Sequence, residues 1–205
     1  ARARKVPVIL ATQVLESMTT EGRPTRAEVS DAANAVDDGV DAIMLAAETA
    51  SGAYPVRAVQ TLDAIIRSAE SDRPQTGPLV FQDAGHDHGQ AICEAAVTMA
   101  EHGEAHAIIA VTRGGKTARR LSALRPRVPI LAMTERVEMA RRLSLLWGVF
   151  PVASSIVRKV ESVGTLMERQ LMELGLVPEG ALVVLASISA DLGRGDANYL
   201  KIQRL

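Results

Sequence analysis

The chain has 205 residues, of which 47% are hydrophobic and only 2% aromatic, so its core must be built from Ala, Val, Leu and Ile. A formal net charge of −1 excludes the strongly basic proteins that bind nucleic acid or acidic membranes, and no apolar run approaches the roughly 20 residues of a membrane-spanning helix. The single cysteine, Cys93, excludes a disulfide within the chain, and without a secretory signal we expect a cytoplasmic protein of one large or two small domains.

The first element along the chain is a short apolar run from Val6 to Ala11. It is rich in branched side chains and too short for a stable helix, which is typical of a strand buried on both faces. Thr12 and Gln13 are the first polar residues after the run, at the end of the strand where α/β proteins bind ligands. From the residues alone, Thr12 is either a hydroxyl of a functional site or a threonine that hydrogen-bonds its own backbone.

A helix follows this strand. Thr25 and Glu28 have the spacing of a capping box, and Gly39 supplies the stop signal, so the pattern predicts a helix between them. Residues 41–45 then predict a second strand. A strand, a helix and a strand in this order predict a βαβ unit with a parallel pair of strands.

A second helix begins at Pro55, which occupies the favoured first helical position, and runs to about Glu70. Its predicted buried face consists of Val56, Val59, Leu62, Ile65 and Ile66. Two βα units cannot close a sheet, and a strand buried on both faces needs neighbours on both edges. We therefore expect the chain to be part of a longer protein.

The stretch from Ser71 to Gln90 is rich in Asp, Pro, Gly and His and has no hydrophobic period, which indicates a linker or domain boundary. It contains His86, Asp87 and His88. Adjacent residues on a loop seldom converge on one ion, and a closed zinc site needs four ligands, so a solvated turn is the favoured interpretation and no metal ligand is assigned.

The second half alternates regularly between strands and helices. The predicted strands are residues 107–111, 128–133, 149–152, 181–186 and 199–205, and the predicted helices are 91–102, 115–124, 137–146 and 157–174. Strands that are apolar throughout, alternating with helices, predict a three-layer αβα domain with a mostly parallel five-stranded sheet. The last strand alternates apolar and polar residues, as an edge strand does.

One loop of this half suggests anion binding. It consists of Thr112, Arg113, Gly114, Gly115, Lys116 and Thr117. The loop follows a strand and opens a helix, so its glycines let backbone N–H groups approach an anion at the positive end of the helix. A pair of glycines also occurs in plain strand-to-helix turns, and the spacing is not that of a P-loop, so both interpretations stay open.

Four motifs in one order resemble the late barrel segments of pyruvate kinase. They are Ala11-Thr12-Gln13-Val14-Leu15-Glu16-Ser17-Met18, then Arg23-Pro24-Thr25-Arg26-Ala27-Glu28-Val29-Ser30-Asp31, then Asn34-Ala35-Val36, and Glu48-Thr49-Ala50 with Gly52, Tyr54 and Pro55. The succession of strands and helices from Gln90 also resembles the C-terminal domain of that family. The resemblance therefore covers essentially the whole chain.

The resemblance implies a fold and an activity. Residues 1–73 would be the last two βα units of a (β/α)8 barrel, residues 74–89 a linker, and residues 90–205 an α/β domain for effector binding and oligomerisation. The complete protein would transfer a phosphoryl group between phosphoenolpyruvate and ADP, giving pyruvate and ATP in glycolysis, as a homotetramer with Mg²⁺ and, as an open point, K⁺. Thr12 would lie in the network that protonates the enolate.

The same resemblance sets limits on this chain. The lysine and the two metal-binding carboxylates of the family belong to earlier barrel strands and match nothing here, so we assign no metal ligand and expect the chain alone to be inactive. Many relatives have Ser-Gly where this sequence has Ala46 and Ala47, so one hydroxyl near the substrate pocket is absent. Glu48 keeps its place, but an acid that caps a nearby turn is as good an interpretation as a catalytic role.

The loop from Thr112 to Thr117 corresponds to the place where the family binds the phosphate of an allosteric effector, often a sugar phosphate or a nucleotide. A second loop, residues 189–198, would close over that ligand. It lacks the proline-glycine repeat of many relatives, and its Asp191 and Asp196 would repel a phosphate, although Arg194 would offset them.

Two alternatives to an enzyme remain at this point. The chain is also consistent with a stand-alone or fused regulatory module that binds a phosphorylated metabolite through the loop at Thr112. The second alternative is a structural role, because in the family the helix that begins at Thr25 and the C-terminal domain take part in subunit contacts.

Overall fold

The computed structural model describes residues 1–71, 88–154, 169–188 and 198–205. The chain divides into two compact units, one from Pro7 to Thr76 and the other from Gly77 to Leu205 together with Ala1–Val6. His86, Asp87, most of the predicted helix over residues 157–174 and nearly all of the predicted loop over 189–198 lie outside the described residues. No helix in the described ranges is long and apolar enough to cross a membrane.

The first unit contains the predicted βαβ arrangement. Its elements are strand β1 (Ile9–Leu10), a 3-10 turn (Glu16–Thr19), helix α1 (Arg26–Asp38), strand β2 (Ala42–Ile43), and helices α2 (Ala47–Ala50) and α3 (Pro55–Ser71); a further 3-10 turn, Arg2–Arg4, precedes β1. The two strands pair in parallel, with Ile9 opposite Ala42 and Leu10 opposite Ile43. Helix α1 connects them along the chain.

The capping signals of α1 act as predicted. Glu28 N–H donates to the Thr25 hydroxyl, and the Glu28 carboxylate accepts from Thr25 N–H, so both halves of the capping box are present. Gly39 ends the helix in the left-handed region at φ 88°, which glycine adopts without the steric cost of a Cβ. Local sequence therefore determines where this helix begins and ends.

The core of the first unit is small and lies where α1, α3 and the segment after β1 meet. Its buried residues are Val14, Leu15, Met18, Ala32, Ala58, Leu62 and Ile65. The predicted buried face of α3 is wrong at Val56 and Val59, which are 69% and 53% exposed. The helix buries the stripe through Ala58, and the two valines lie outside that stripe.

The first strand is present, but it is shorter and more exposed than its composition predicts. The ladder covers only Ile9 and Leu10 of the run from Val6 to Ala11, and Ile9 is 46% exposed. Within the described residues, β2 is the only strand that pairs with β1. A strand with one neighbour keeps its other edge and much of its apolar surface open, so the double burial that its composition predicts is absent from this unit.

The second unit contains an open five-stranded sheet. Its elements are α4 (His88–His102), β3 (Ala107–Val111), α5 (Lys116–Leu124), β4 (Ile130–Thr134), α6 (Val137–Leu143), β5 (Val149–Ala153), β6 (Leu182–Ile188) and β7 (Asn198–Arg204), and residues 169–173 are helical. The strand order is β5-β4-β3-β6-β7. The strands pair in parallel except β7, which lies antiparallel at the edge. This is the mostly parallel five-stranded sheet that the sequence predicts.

Both faces of this sheet are covered. Ile108 points to the face that carries α4, α5 and α6, in one cluster with Leu121 and Leu143. Ile109 points to the opposite face, in a cluster with Leu171 of the helical segment 169–173. Alternate residues of β3 thus enter two separate cores, as a buried parallel strand requires. Cys93 is fully buried among alanines and valines in the first of these cores, which confirms its interpretation as a small hydrophobe.

Candidate functional site

The loop from Thr112 to Thr117 lies at the centre of the sheet edge where the parallel strands end. The chain passes from β3 through α5 to β4 on one side, while β6 lies on the other side of β3. The connections therefore diverge at the carboxyl end of β3. Open α/β sheets bind ligands in the crevice outside such a switch point.

The loop has a buried base and an exposed rim. Thr112 and Thr117 are 5% and 3% exposed, whereas Arg113, Gly114 and Lys116 are exposed. The N–H of Thr112 donates to the Met133 carbonyl at 2.9 Å, so the start of the loop is attached to the neighbouring strand β4. The two cationic side chains thus stand in solvent above a backbone turn that the sheet holds in place.

The turn itself depends on Gly115, which occupies the N-cap position of α5. Its φ is 76°, and a Cβ at this position would lie 3.0 Å from Leu143 Cδ2 and 3.0 Å from Met139 Sδ. Glycine is required here both for the left-handed backbone and for the close approach of α6. No side chain caps the N-terminus of α5 in the described part of the chain, so its N–H groups face the loop.

The predicted catalytic residue belongs to the first unit. Thr12 is exposed and follows β1 directly, at the carboxyl end of that strand. The segment after it is anchored by the fully buried side chains of Leu15 and Met18, and Gln13 Nε2 donates to Glu16 Oε1 at 2.9 Å. Thr12 is thus exposed to solvent, and the segment that follows it is anchored in the core by Leu15 and Met18.

Two carboxylates tie this segment to the rest of the unit. Glu48, which is 3% exposed, accepts from Leu15 N–H at 3.3 Å and from Ala46 N–H at 2.8 Å. Burial alone would raise the pKa of the Glu48 carboxyl, but hydrogen bonds from the N–H groups of Glu48, Ala46 and Leu15 outweigh it and lower the pKa. Glu48 therefore joins the segment after β1 to the segment after β2 as an ionised cap, which is the capping interpretation of its sequence position.

Glu28 has a second role that the sequence pattern does not show. Besides Thr25, its carboxylate accepts from Ser17 N–H at 2.8 Å and from the Ser17 hydroxyl at 2.5 Å. Partial burial favours the neutral acid, but these bonds and those from Thr25 prevail and lower the pKa of Glu28 to about 2. Sequence reasoning missed Ser17, because nothing in the spacing of residues 17 and 28 indicates that they meet.

The described residues contain no metal centre. No group of three or more His, Cys, Asp or Glu side chains is arranged to hold an ion within residues 1–71, 88–154, 169–188 and 198–205. The loop at Thr112 offers donors and positive charge, which suit an anion, and Thr12 offers a hydroxyl. The described residues thus offer backbone and cationic donors at one place and a hydroxyl at the other.

The geometry defines an α/β protein with a parallel βαβ unit and a second unit built on an open, mostly parallel five-stranded sheet. Sequence comparison agrees with this division. The pattern described as "Pyruvate kinase, alpha/beta domain" matches residues 90–203, and "Pyruvate kinase, barrel domain" matches residues 1–59. The chain belongs to the pyruvate kinase family, which confirms the resemblance and the fold class expected from the sequence.

Individual relatives show the same likeness. A pyruvate kinase of Clostridium acetobutylicum is 40% identical over 199 residues, which is 96% of this chain and 42% of that protein. One from Mycobacterium tuberculosis is 38% identical over 208 residues, which is 100% of this chain and 43% of that protein. The chain spans about two-fifths of the length of these curated relatives.

Solved structures agree. A crystal structure of a pyruvate kinase from Cryptosporidium parvum superposes with a TM-score of 0.83 at 33% identity, covering 99% of this chain and 41% of that one. A structure of the Cryptosporidium parvum enzyme in complex with ADP superposes with a TM-score of 0.81 at 34% identity.

Glu28→Gln should weaken, at neutral pH, the hydrogen bonds that attach the 3-10 turn Glu16–Thr19 to helix α1. The folded-state pKa of about 2 lies below the ordinary 4.5, so the stabilisation is complete above pH 4.5 and is lost as the pH falls towards 2. We expect the variant to lose on the order of 1 kcal/mol of local stability at neutral pH, after allowance for solvent screening, and the difference to vanish in acid. Protection factors for exchange of the Ser17 and Thr25 amides measure it. Glu21→Gln is the exposed control, and a pH-independent difference would contradict the prediction.

Gly115→Ala should destabilise the second unit by about 1–3 kcal/mol, because the new Cβ meets Leu143 and Met139 and the backbone is left-handed. Gly114→Ala is the matched control: a Cβ there has nothing within 4 Å, and we expect a change within about 0.5 kcal/mol. Denaturant unfolding followed by the fluorescence of Trp147, the single tryptophan, measures both variants. Equal stabilities would show that the contact is relieved without cost.

Proposed function

We propose that the complete protein is a pyruvate kinase that transfers a phosphoryl group between phosphoenolpyruvate and ADP, giving pyruvate and ATP in glycolysis. The observation that carries the proposal is the ordered match of both units to the barrel and α/β domains of this kinase family. The Cryptosporidium parvum relative with bound ADP supports a nucleotide partner. We extend to this protein the cytoplasmic location and homotetrameric state that the family implies.

We assign Thr12 to the proton transfer. Loss of the phosphoryl group from phosphoenolpyruvate leaves the enolate of pyruvate, and a proton added to its methylene carbon gives the methyl group of pyruvate. A hydroxyl both donates and accepts, so it can pass a proton from a neighbouring group or water to that carbon. The position of Thr12 at the carboxyl end of a barrel-type strand, exposed and beside an anchored segment, supports the assignment.

The residues present do not suit the cations of this reaction. Phosphoryl transfer needs positive charge on the moving group, and the family implies Mg²⁺ and leaves K⁺ open. The described residues hold no cluster of potential ligands, and the carboxylates of Glu28 and Glu48 already accept hydrogen bonds from backbone and hydroxyl groups. We therefore propose no metal ligand in the described part of this chain and route no step through a metal.

The proposal predicts a division of activity. The complete protein should form pyruvate and ATP in a coupled assay with Mg²⁺, whereas the 205-residue chain alone should show no turnover, because the groups that stabilise the transition state lie elsewhere. Turnover by the isolated chain would overturn this division.

Thr12→Ala in the complete protein should lower kcat by about 100-fold or more, which is the usual contribution of a positioned proton-transfer group. Thr20→Ala, at another exposed position close to Thr12 in the sequence, is the control.

We also propose a regulatory role for the second unit, either within the enzyme or as a stand-alone or fused module. Backbone N–H groups at the N-terminus of α5, with Arg113 and Lys116 above them, suit the phosphate of a sugar phosphate or a nucleotide. In the loop of residues 189–198, which in the family closes over the effector, Asp191 and Asp196 would repel a phosphate and Arg194 would offset them. Effector binding is thus the second proposed function, and a ligand screen is needed to identify the effector.

A phosphorylated effector should raise the melting temperature of the complete protein in a screen of sugar phosphates and nucleotides, since a ligand that binds only the folded state stabilises it. Lys116→Ala should abolish the shift, because it removes a cation from the loop. Lys201→Ala, an exposed lysine on the edge strand, should leave the shift unchanged. No shift with any phosphate compound, or an equal loss in both variants, would refute effector binding at this loop.

A further inference from the structure

One carboxylate in the first unit serves two structures at once. Glu28 accepts from Thr25 N–H at 2.7 Å and from the Thr25 hydroxyl at 2.8 Å, which caps helix α1. It also accepts from the N–H and the hydroxyl of Ser17 at 2.8 and 2.5 Å. A capping box needs only the contacts between Thr25 and Glu28, so the helix does not require the two hydrogen bonds from Ser17.

The Ser17 contacts act on the segment that carries Thr12. Ser17 belongs to the 3-10 turn Glu16–Thr19, which lies directly after the buried Leu15. The apolar anchors Leu15 and Met18 hold the segment in the core but impose little direction, whereas hydrogen bonds are directional. Glu48 reaches Leu15 N–H at 3.3 Å, a longer bond than those from Ser17 to Glu28. Of the two carboxylates, Glu28 thus makes the more numerous and the shorter hydrogen bonds to this turn.

We propose that Glu28, acting through Ser17, is a positioning residue that fixes the segment from Thr12 to Thr19 in the geometry needed for proton transfer by Thr12. The inference rests on the proposed function. Glu28 contacts neither substrate nor reacting atoms in this role. It acts because a reacting group displaced by about 1 Å can lose on the order of 100-fold in rate.

The structure supplies a matched pair of variants that separates this role from helix capping. Ser17→Ala removes a hydroxyl bond between Glu28 and the 3-10 turn and leaves the capping box intact. Thr25→Ala removes the hydroxyl bonds of the capping box and leaves both bonds to Ser17 in place. A purely structural carboxylate would make the second variant the more damaging one, since an N-cap hydroxyl contributes about 1 kcal/mol.

The experiment uses the complete protein and two readouts: kcat with KM for each substrate, and exchange of the pyruvate methyl protons for deuterium, which reports proton transfer alone. Ser17→Ala should lower kcat and the exchange rate about tenfold with KM for ADP unchanged. Thr25→Ala should lower the melting temperature but leave both rates within about twofold. Ser17→Thr retains the hydroxyl and should restore the rates, which distinguishes lost positioning from poor folding.

The possible failures are distinguishable. If the wild-type complete protein transfers no phosphoryl group, the proposed function is wrong and the positioning role is overturned with it. If the wild type is active and Ser17→Ala exchanges protons at the wild-type rate, the proposed function stands and the positioning role alone is overturned. Equal losses in Ser17→Ala and Thr25→Ala would also overturn it, because they would reduce Glu28 to a helix cap.

Discussion

A parallel strand is stable where neighbours occupy both of its edges and other elements cover both of its faces, and this constraint explains the contrast between the two units. In the second unit, β3 lies between β4 and β6 and sends alternate residues into two cores. In the first unit, β1 has β2 on one edge, and its apolar run is largely exposed. The same kind of sequence thus leads to a full strand in one unit and to a two-residue ladder in the other.

The proposed functional residues lie beyond the ends of these strands. Where a strand stops, backbone N–H groups lose their ladder partners and must find others. In the first unit carboxylates are the partners: Glu48 accepts from the segments that follow the two strands, and Glu28 joins the 3-10 turn to α1. In the second unit the N–H groups at the start of α5 have no side-chain cap in the described residues, which is why we propose this loop for an anionic effector. The same requirement of the backbone for hydrogen-bond partners therefore applies both to the segment after Thr12 and to the proposed effector loop.

Much of the fold could be predicted because its signals are local. The capping box at Thr25, the stop at Gly39 and the helix start at Pro55 act within a few residues, and each appears where the sequence predicts it. The predictions that were wrong concern burial. Val56 and Val59 are as apolar as the residues that α3 buries, and only the position of the neighbouring elements decides which side of a helix is covered.

The sequence by itself determined the family, the order of strands and helices, the five-stranded sheet and the identity of the loop at Thr112, because motifs and periodicity are properties of the chain. Tertiary structure alone decided that Ser17 contacts Glu28, eleven positions away in the sequence, and that α6 packs so close to Gly115 that a Cβ there would be crowded. It also decided that a strand composed for full burial stands half open. These outcomes depend on which distant groups come together, and that information is not carried by any single stretch of sequence.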